Sequence, residues 1–318
     1  MVSKTLIIGA CGQIGSELTY KLRAEIGDEN VIASDIKESN LELVKSGPFK
    51  ILDAKNFDQI KECVEKNNVG TVYLMAAMLS ATGEKFPEKA WDLNMTSLLN
   101  VLNLAKEKII DKIFWPSSIA VFGPTTPKAN TPQRTIMEPT TVYGITKQVG
   151  ERWCEYYFNN YGVDVRSIRY PGIISWKTLP GGGTTDYAID IFHKAISDGH
   201  YDCFLTEDTA LPMMFMEDAV KATLDIMNAE SNDVKIRSSY NLAAISFTPK
   251  ELANEIKKQI PDFTIDYEPD FRQKIANSWP NSIDDSEARQ DWNWEHSFDL
   301  NAMSTEMLTQ LGEKTTVS

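Results

Sequence analysis

Short apolar runs alternate with longer amphipathic stretches along the first half of the chain. The short runs, rich in β-branched residues, predict strands at Thr5–Gly9, Val31–Asp35, Phe49–Asp53, Val72–Ala77, Ile113–Ser117 and Val163–Arg169. The longer stretches predict helices at Gln13–Glu25, Phe57–Lys66, Lys89–Glu107 and Tyr143–Tyr161. This alternation is typical of a parallel sheet with helices on both faces, so the predicted fold class is α/β, a doubly wound parallel sheet.

Two segments depart from this alternation. The predicted helix Lys89–Glu107 carries apolar residues nearly all round, Trp91 and Leu102 among them. One buried face does not require so many, so the helix is either deeply packed or part of an interface between two copies. Four prolines lie between Phe122 and Pro139, which predicts a loop because proline interrupts both helices and central strands.

The pattern changes after Gly172, where helical stretches become isolated and aromatic residues cluster. We therefore expect a large domain over residues 1–175, to which later segments near residues 213–245 return, and a smaller C-terminal lobe over residues 176–318. In the lobe, Thr248 and Glu251 predict a capping box at the start of a helix.

Composition and charge narrow the class of ligand. Apolar residues make up 42% of the 318 residues and charged residues 24%, as in globular proteins. The 45 acidic residues outnumber the 32 basic ones, and the net charge of −13 disfavours nucleic acid and anionic membranes. A small molecule is the favoured ligand. The first strand follows Met1–Lys4 directly, without the apolar stretch of a signal peptide, which predicts a cytoplasmic protein.

Cysteine and histidine spacing indicates neither a disulfide framework nor a metal site. The four cysteines contain no C-x-x-C pair, and the three histidines lie at positions 193, 200 and 296. We therefore expect no bound metal.

A glycine-rich turn follows the first predicted strand and opens the first predicted helix. The residues predicted to bind a dinucleotide here are Gly9, Gly12, Gln13, Ile14 and Gly15. Glycines permit close approach of a pyrophosphate, and the helix start offers backbone N–H groups and the positive end of a dipole. A merely tight turn is the alternative, since the spacing alone is a weak signal.

Further candidate cofactor contacts lie at the carboxyl ends of the next strands. Asp35, 20 residues after Gly15, is placed to accept hydrogen bonds from the adenosine ribose and to disfavour a 2′-phosphate, which predicts NAD rather than NADP. A plain turn residue is the alternative for Asp35. Asp53, with Ala54, is placed to meet the adenine, although a solvated loop acid is the alternative. Met75, Ala76 and Ala77 follow the fourth strand, and the small side chains in this segment would let its backbone lie beside the cofactor. Packing of small residues in the core is the competing explanation for them.

Three side chains form a candidate catalytic set. Tyr143 and Lys147 stand four apart at the start of a predicted helix, on one face, and Ser118 follows a predicted strand at its carboxyl edge. We expect the Lys147 ammonium and the positive ring of a bound nicotinamide together to lower the pKa of Tyr143 from about 10 towards neutrality. Tyr143 would then act as a base while Ser118 holds the same substrate oxygen. An ordinary amphipathic helix face is the alternative for the pair.

Together, the glycine turn, Asp35, Ser118 and Tyr143-x-x-x-Lys147 resemble the extended short-chain dehydrogenase/reductase superfamily over nearly the whole chain. The resemblance implies a Rossmann domain that binds NAD and a C-terminal lobe that binds the substrate. It also implies Pro171 and Ile173 as backbone neighbours of the nicotinamide. The chain departs from many members at Leu74, where a histidine often precedes the small residues.

Further segments resemble the short-chain L-threonine 3-dehydrogenases within that superfamily: Trp115–Ser118, Phe122–Pro124, Arg169–Ser175, Pro180–Ala188 and Leu211–Met214. The resemblance implies metal-independent oxidation of L-threonine to 2-amino-3-oxobutyrate with NAD. It also implies a homodimer through the predicted helices Lys89–Glu107 and Tyr143–Tyr161.

The substrate contacts follow from the same resemblance, with some physical support. Gly181–Gly183 leads into Thr184 and Thr185 before a helix near Asp186–Ser197, which offers N–H donors and hydroxyls to a carboxylate. Ser80 and Trp279 are the other two candidates, the first for the polar end of the substrate and the second as a cover over the pocket. The alternative for Gly181–Thr185 is a hinge with a helix cap. The alternative for Ser80 is a loop serine, and that for Trp279 is a packing tryptophan.

Two other functions fit the same residues. A nucleotide-sugar epimerase or dehydratase shares the fold and the catalytic set, but the lobe shows no lysine and arginine cluster suited to a diphosphate. A non-catalytic NAD-sensing protein would have no need of Tyr143 and Lys147.

Overall fold

The structure, a computed structural model, describes residues 3–177, 179 and 183–317. Packing divides the chain into two compact units. The first unit contains the described residues of Met1–Val121, Thr140–Arg169 and Val220–Tyr240, and the second those of Phe122–Pro139, Tyr170–Ala219 and Asn241–Ser318. The assignment of cofactor binding to one part of the chain and substrate binding to the other remains a prediction.

The first half of the chain alternates strands and helices: β1 Lys4–Ile8, α1 Gln13–Ile26, β2 Val31–Asp35, α2 Leu41–Lys45, β3 Phe49–Ile51, α3 Phe57–Asn67, β4 Val69–Leu74, α4 Ser80–Lys85, α5 Pro87–Lys106, β5 Lys112–Phe114, β6 Ser117–Ser118, α6 Val142–Tyr161 and β7 Asp164–Arg166. The second half contains β8 Ile168–Tyr170, β9 Gly172–Ile174, α7 Tyr187–Ser197, β10 His200–Cys203, β11 Leu211–Phe215, α8 Met216–Asn228, β12 Tyr240–Asn241, β13 Ile245–Phe247, α9 Pro249–Lys257, β14 Thr264–Tyr267, α10 Phe271–Ala276, α11 Ser286–Trp292 and α12 Leu300–Val317.

The predicted α/β fold with a parallel sheet is confirmed. Six strands of the first unit pair in the order β3-β2-β1-β4-β5-β7, and all of these pairs are parallel. Leu6, Ile32 and Val72 are buried in this sheet and belong to one core with residues of α3, α5 and α6. Helices flank the sheet, as a doubly wound fold requires, and the carboxyl ends of its strands lie at one edge.

Two predicted strands differ from the observed ones. The strand predicted at Val72–Ala77 is β4, which ends at Leu74, because the N–H groups of Met75 and Ala76 both turn to the carbonyl of Ile8. The strand predicted at Val163–Arg169 is divided at Ser167 into β7 and β8. The apolar pattern continues across Ser167, so only the hydrogen bonding reveals the interruption.

Helix α5 is a deeply packed helix. Leu98 and Leu102 are fully buried, whereas Trp91 is 46% exposed. Core packing therefore explains most of its apolar residues, and Trp91 is left on its surface.

The second unit combines small sheets with helices. Strands β13-β11-β9 form one sheet and β10-β14 another, while α7, α9 and α12 pack on one another. The predicted capping box is confirmed, since Thr248 and Glu251 exchange side-chain and backbone hydrogen bonds at the start of α9. Residues 122–139 form the predicted loop, without helix or strand. Among the helices of the described residues, none is long and apolar enough to cross a membrane.

Candidate active site

The glycine-rich turn between β1 and α1 is tight at two positions. Gly9 has a φ of +89°, and a Cβ on it would lie 2.4 Å from the backbone nitrogen of Ala76. A Cβ on Gly15 would lie 2.3 Å from the carbonyl oxygen of Gly9. Gly12 is exposed, and a Cβ there would lie 3.4 Å from that same oxygen, which is a van der Waals contact. The packing of the protein therefore requires Gly9 and Gly15, whereas Gly12 keeps the surface of the turn open.

The start of α1 faces this open surface. The helix begins at Gln13 and continues through Ile14, and Gly12 is its N-cap residue. No side chain caps the helix by a hydrogen bond, and its first turn contains no acidic residue. The first N–H groups of a helix lack partners within it and carry partial positive charge, so this turn can bind a phosphate group.

Asp35 is fixed beside the turn at the end of β2. Its carboxylate accepts hydrogen bonds from the backbone N–H groups of Cys11, at 2.9 Å, and Ile36, at 2.8 Å. The side chain is half-buried. These bonds orient one acidic group next to the candidate phosphate site, which is the placement that binding of a ribose requires.

Asp53 and Ala54 lie in the turn that follows β3. The carboxylate of Asp53 accepts a hydrogen bond from the backbone of Lys55 at 2.9 Å, and its side chain is half-buried. Ala54 is buried, and its carbonyl accepts a hydrogen bond from Asn100 at 3.1 Å. These contacts hold the turn, and the contact with adenine remains a prediction.

The segment after β4 lies against the glycine turn. Met75 and Ala76 donate backbone hydrogen bonds to Ile8 at 2.8 and 2.9 Å, and with Ala77 they are half-buried. Leu74, the position of the sequence departure, is buried in the sheet. The backbone of Ala76 approaches Gly9 so closely that a side chain at position 9 would separate β1 from this segment.

The candidate catalytic set comes together in the first unit. Tyr143 lies in the first turn of α6, which Thr141 caps through the N–H of Gly144 at 3.1 Å. Ser118 on β6 forms a hydrogen bond with Tyr143. The Nζ of Lys147 lies 5.5 Å from the centre of the Tyr143 ring. The three side chains are therefore neighbours, as the spacing predicted.

Burial controls the proton affinity of both central groups. It raises the pKa of Tyr143 to about 12, against the smaller lowering effect of the hydrogen bond with Ser118. It lowers the pKa of Lys147 to about 7, against the raising effects of Cys154 and Glu151. In the protein groups by themselves, the loss of hydration thus outweighs the hydrogen bond and keeps the pKa of Tyr143 above its usual value. The lower pKa expected with the nicotinamide bound stays a prediction.

A buried ion pair lies behind this set, and the sequence analysis missed half of it. Glu151 on α6 accepts hydrogen bonds from Arg169 at both carboxylate oxygens, each at 2.8 Å, and from the hydroxyl of Ser117 at 2.7 Å. Glu151 and Arg169 are almost completely buried. The position of Glu151, one helical turn after Lys147, was the available signal.

Asn94 on α5 is a second residue that the sequence analysis missed. Its side chain bonds to the N–H and carbonyl of Met78, at 2.8 and 3.2 Å, and donates to the hydroxyl of Thr146 at 3.1 Å. Thr146 in turn donates to the carbonyl of Tyr143 at 2.8 Å. The segment that leads to the half-buried Ser80, at the start of α4, is thereby connected to the first turn of α6.

Candidate residues of the second unit lie near its β9 strand. Pro171 is buried just before β9, and Ile173 pairs with Met214 of β11. A Cβ on Gly172 would lie 2.9 Å from the Cβ of Thr185, so that threonine packs on the strand.

The remaining candidates of the second unit lie in a turn and in a late segment. Thr184 is buried in the turn before α7, while Gly181 and Gly182 lie outside the described residues. Trp279 is 9% exposed, which fits a packing residue, and its carbonyl accepts a hydrogen bond from Lys128.

The structure brings together one histidine and two acids that the sequence spacing did not suggest. His200 and Asp202 on β10 lie near Asp266 on β14, with ligand atoms within 4.8 Å of one another. The acids are exposed and the histidine is half-exposed, so solvent hydrates the cluster, and the prediction of no bound metal stays a prediction.

Comparison with known proteins gives the family. The sequence pattern of the NAD dependent epimerase/dehydratase family matches residues 5–243. An uncharacterized epimerase/dehydratase of Staphylococcus saprophyticus is 49% identical over 315 residues, which cover 98% of each chain.

Several similar solved structures are L-threonine dehydrogenases. The holo form of the enzyme from Cupriavidus necator is 55% identical, covers 97% of this chain and 99% of its own, and has a TM-score of 0.94. A monomeric L-threonine 3-dehydrogenase from a metagenome is 47% identical, with coverages of 98% and 99% and a TM-score of 0.92.

These likenesses establish NAD as the cofactor. The turn of Gly9 to Gly15 fits it, because Gly12 keeps the surface of the turn open and the start of α1 has no side-chain cap, so that its first backbone N–H groups can bind a pyrophosphate.

Proposed function

We propose that this chain, which belongs to the NAD dependent epimerase/dehydratase family, oxidises L-threonine at the 3-hydroxyl and gives 2-amino-3-oxobutyrate. The observation that carries this proposal is the likeness, over nearly the whole chain, to L-threonine dehydrogenases. The meeting of Ser118, Tyr143 and Lys147 supports it, because oxidation of an alcohol needs a base and a hydrogen-bond donor at the same oxygen.

Each of these side chains has one role in the proposal. Tyr143 removes the proton from the 3-hydroxyl, and Ser118 donates a hydrogen bond to the same oxygen. The charge of Lys147 favours the phenolate form of Tyr143. Bound oxidised NAD supplies the hydride acceptor and a positive charge beside the phenol.

We assign cofactor binding to the residues around the glycine turn and the ends of the strands. Asp35 binds the ribose, and its charge selects NAD over NADP. The other proposed contacts are Gly9, Gly12, Gln13, Ile14 and Gly15 for the pyrophosphate, Asp53 and Ala54 for the adenine, and Met75, Ala76, Ala77, Pro171 and Ile173 for the nicotinamide half.

We assign substrate binding to Ser80, Thr184, Thr185 and Trp279, together with Ser118 and Tyr143. Hydroxyl groups and the backbone at the start of α7 suit the carboxylate of an amino acid.

The proposal is tested by NADH absorbance after the protein is mixed with NAD and L-threonine. L-Serine, L-allo-threonine and a UDP-sugar serve as parallel substrates. NADH formation with L-threonine, and little with the others, is the expected result. No NADH with L-threonine, from protein shown to bind NAD, would overturn the proposal.

A nucleotide-sugar epimerase or dehydratase is the second candidate, because the staphylococcal relative is described as an uncharacterized epimerase/dehydratase. It predicts tightly retained NAD and conversion of the UDP-sugar without net formation of NADH. A protein that senses NAD without catalysis would bind NAD and convert none of these compounds.

A further inference from the structure

The segment Trp115–Ser118 lies along one side of α6. Each of its residues contacts a different residue of that helix, in the pairs Trp115 with Gly150, Pro116 with Lys147, Ser117 with Glu151 and Ser118 with Tyr143. The whole segment therefore fixes the side chains of α6, not only its terminal serine.

The indole of Trp115 lies under the ammonium of Lys147. The Nζ atom is 4.6 Å from the centre of the ring, within the distance of a cation–π interaction. Both side chains are buried, at 5% exposure for Trp115 and 3% for Lys147. A cation–π interaction is strongest where water is excluded, because the ring face then replaces part of the lost hydration.

Gly150 provides the space for this indole. A Cβ at that position would lie 2.3 Å from Cη2 of Trp115 and 2.5 Å from its Cζ2. Glycine is unfavourable inside a helix, and here it permits the close packing of a large ring one turn away from Lys147.

The charged and titratable groups around Lys147 are few. On α6 they are Tyr143, Glu151 and Cys154, and from β8 Arg169 reaches the carboxylate of Glu151. Arg169 pairs with Glu151, and the remaining attraction of Glu151 for Lys147 is smaller than the opposing effect of burial. Burial lowers the pKa of Lys147 to about 7, which places the loss of its charge near neutral pH.

The segment Trp115–Ser118 carries no charged side chain. It offers Lys147 the carbonyl oxygen of Pro116, to which Nζ donates a hydrogen bond, and the face of the indole. The carbonyl accepts a hydrogen bond from the amine in either charge state, whereas the ring face attracts only the ammonium.

We propose that Trp115 is a positioning residue for Lys147, whose indole face keeps the amine in place and in its charged form. As the pH rises, a larger fraction of Lys147 therefore stays protonated next to Tyr143 than would do so without the indole. The kinetic part of this inference rests on the proposed function, since it uses the oxidation of L-threonine as its readout.

The first test is the pH profile of kcat for Trp115→Leu and Trp115→Phe. Without the indole, Lys147 loses its proton at a lower pH, so we expect a loss of roughly threefold to thirtyfold on the alkaline side. Trp115→Phe keeps a weaker ring face and should recover part of that loss. Turnover on the acidic side, where Lys147 is charged in every variant, should stay close to wild type.

Trp153→Leu is the matched control, because Trp153 is a tryptophan of α6 itself whose ring contacts Tyr156 and Tyr157. It should keep the shape of the wild-type profile. An equal fall at every pH in Trp115→Leu would contradict the proposal, since loss of packing alone lowers turnover without shifting its pH dependence. An unchanged profile would contradict it too.

The second test needs no turnover. The fluorescence of Trp115, obtained as the difference between wild type and Trp115→Phe, is followed from acidic to alkaline pH. We expect a transition near pH 7, the pH at which Lys147 loses its charge, and its absence when the same difference is taken in the Lys147→Met background. A transition that persists in that background, or none in wild type, would overturn the proposal, whatever the enzyme does with L-threonine.

Discussion

Tyr143 and Lys147 stand one helical turn apart, and burial acts on them in opposite directions. It favours the neutral phenol and the neutral amine, with pKa values of about 12 and about 7. Burial therefore disfavours the charged forms that catalysis uses, the phenolate of Tyr143 and the ammonium of Lys147, because it removes the water that would hydrate them. Neighbouring groups must restore these forms, and Ser118 and Glu151 both act in that direction.

Replacement of the phenol tests the proposed base. Tyr143→Phe should lower kcat by roughly a hundredfold to ten-thousandfold, the usual contribution of acid–base catalysis, while the Kd of NADH stays within about threefold. Turnover is followed by NADH absorbance and binding by NADH fluorescence. Tyr161→Phe, at the other end of α6, is the control. Substantial activity in Tyr143→Phe would exclude Tyr143 as the base.

Replacement of one carboxylate tests cofactor selection. Asp35→Asn keeps an oxygen acceptor but removes the charge, so the Kd of NAD should rise about tenfold and the preference over NADP should fall. Both constants come from titrations with each cofactor, and Asp58→Asn on α3 is the control. An unchanged ratio of the two constants would show that Asp35 does not select the cofactor.

These residue-scale features were only partly accessible to sequence reasoning. The spacing of Tyr143 and Lys147 on a helix face is a local property, so their proximity could be predicted. The direction of the pKa shift of Tyr143 could not, because it depends on how many atoms from other elements exclude water.

At the scale of elements, one carboxylate joins three parts of the first unit. Glu151 of α6 accepts hydrogen bonds from Ser117 of β6 and from Arg169 of β8. These contacts fix α6 relative to the strand that carries Ser118. A buried carboxylate without its partner is costly, since it has lost its hydration.

Breaking this ion pair should destabilise the protein strongly. Arg169→Met leaves Glu151 buried and unpaired, and we expect the free energy of unfolding to fall by about 3–5 kcal/mol in urea denaturation. The double variant Glu151→Gln, Arg169→Met removes both charges, so its free energy of unfolding should fall by less than that of Arg169→Met. A double variant that is less stable than the single one would contradict this explanation.

The sequence predicted most elements but not all of their ends. Strand β2 was predicted with the observed bounds, Val31–Asp35, because an apolar run ends there in an acid. Strand β4 was predicted to end at Ala77, because Met75–Ala77 is as apolar as a strand. It ends at Leu74, since the backbone N–H groups of Met75 and Ala76 both bond to the carbonyl of Ile8 and do not continue the regular pairing. A hydrogen bond to a distant strand is not encoded in the local pattern.

At the scale of the whole molecule, the predicted homodimer has candidate surfaces on α5 and α6. Large apolar side chains remain exposed there, Trp91 on α5 and Ile145, Tyr156 and Tyr161 on α6. Exposed apolar residues on adjacent helices are typical of an interface between subunits. The relative described as monomeric shows that similarity alone does not fix the state of this chain.

A single charge on this surface tests the dimer. Light scattering after size exclusion should give twice 35.8 kDa for wild type and 35.8 kDa for Tyr156→Glu, because a buried unpaired carboxylate opposes association. Asn254→Glu, an exposed position on α9, should leave the mass unchanged. A monomeric wild type would exclude the predicted interface.

The sequence by itself determined the alternation of strands and helices, the glycine turn after β1, and the spacing of Tyr143 and Lys147. These are features of neighbouring residues, and hydrophobic period, glycine placement and helical repeat encode them directly. Only the tertiary structure decided the burial of Lys147 against Trp115, the ion pair of Glu151 with Arg169, and the raised pKa of Tyr143. Those depend on contacts between residues far apart in the chain, which exist only after the sheet and its helices have packed.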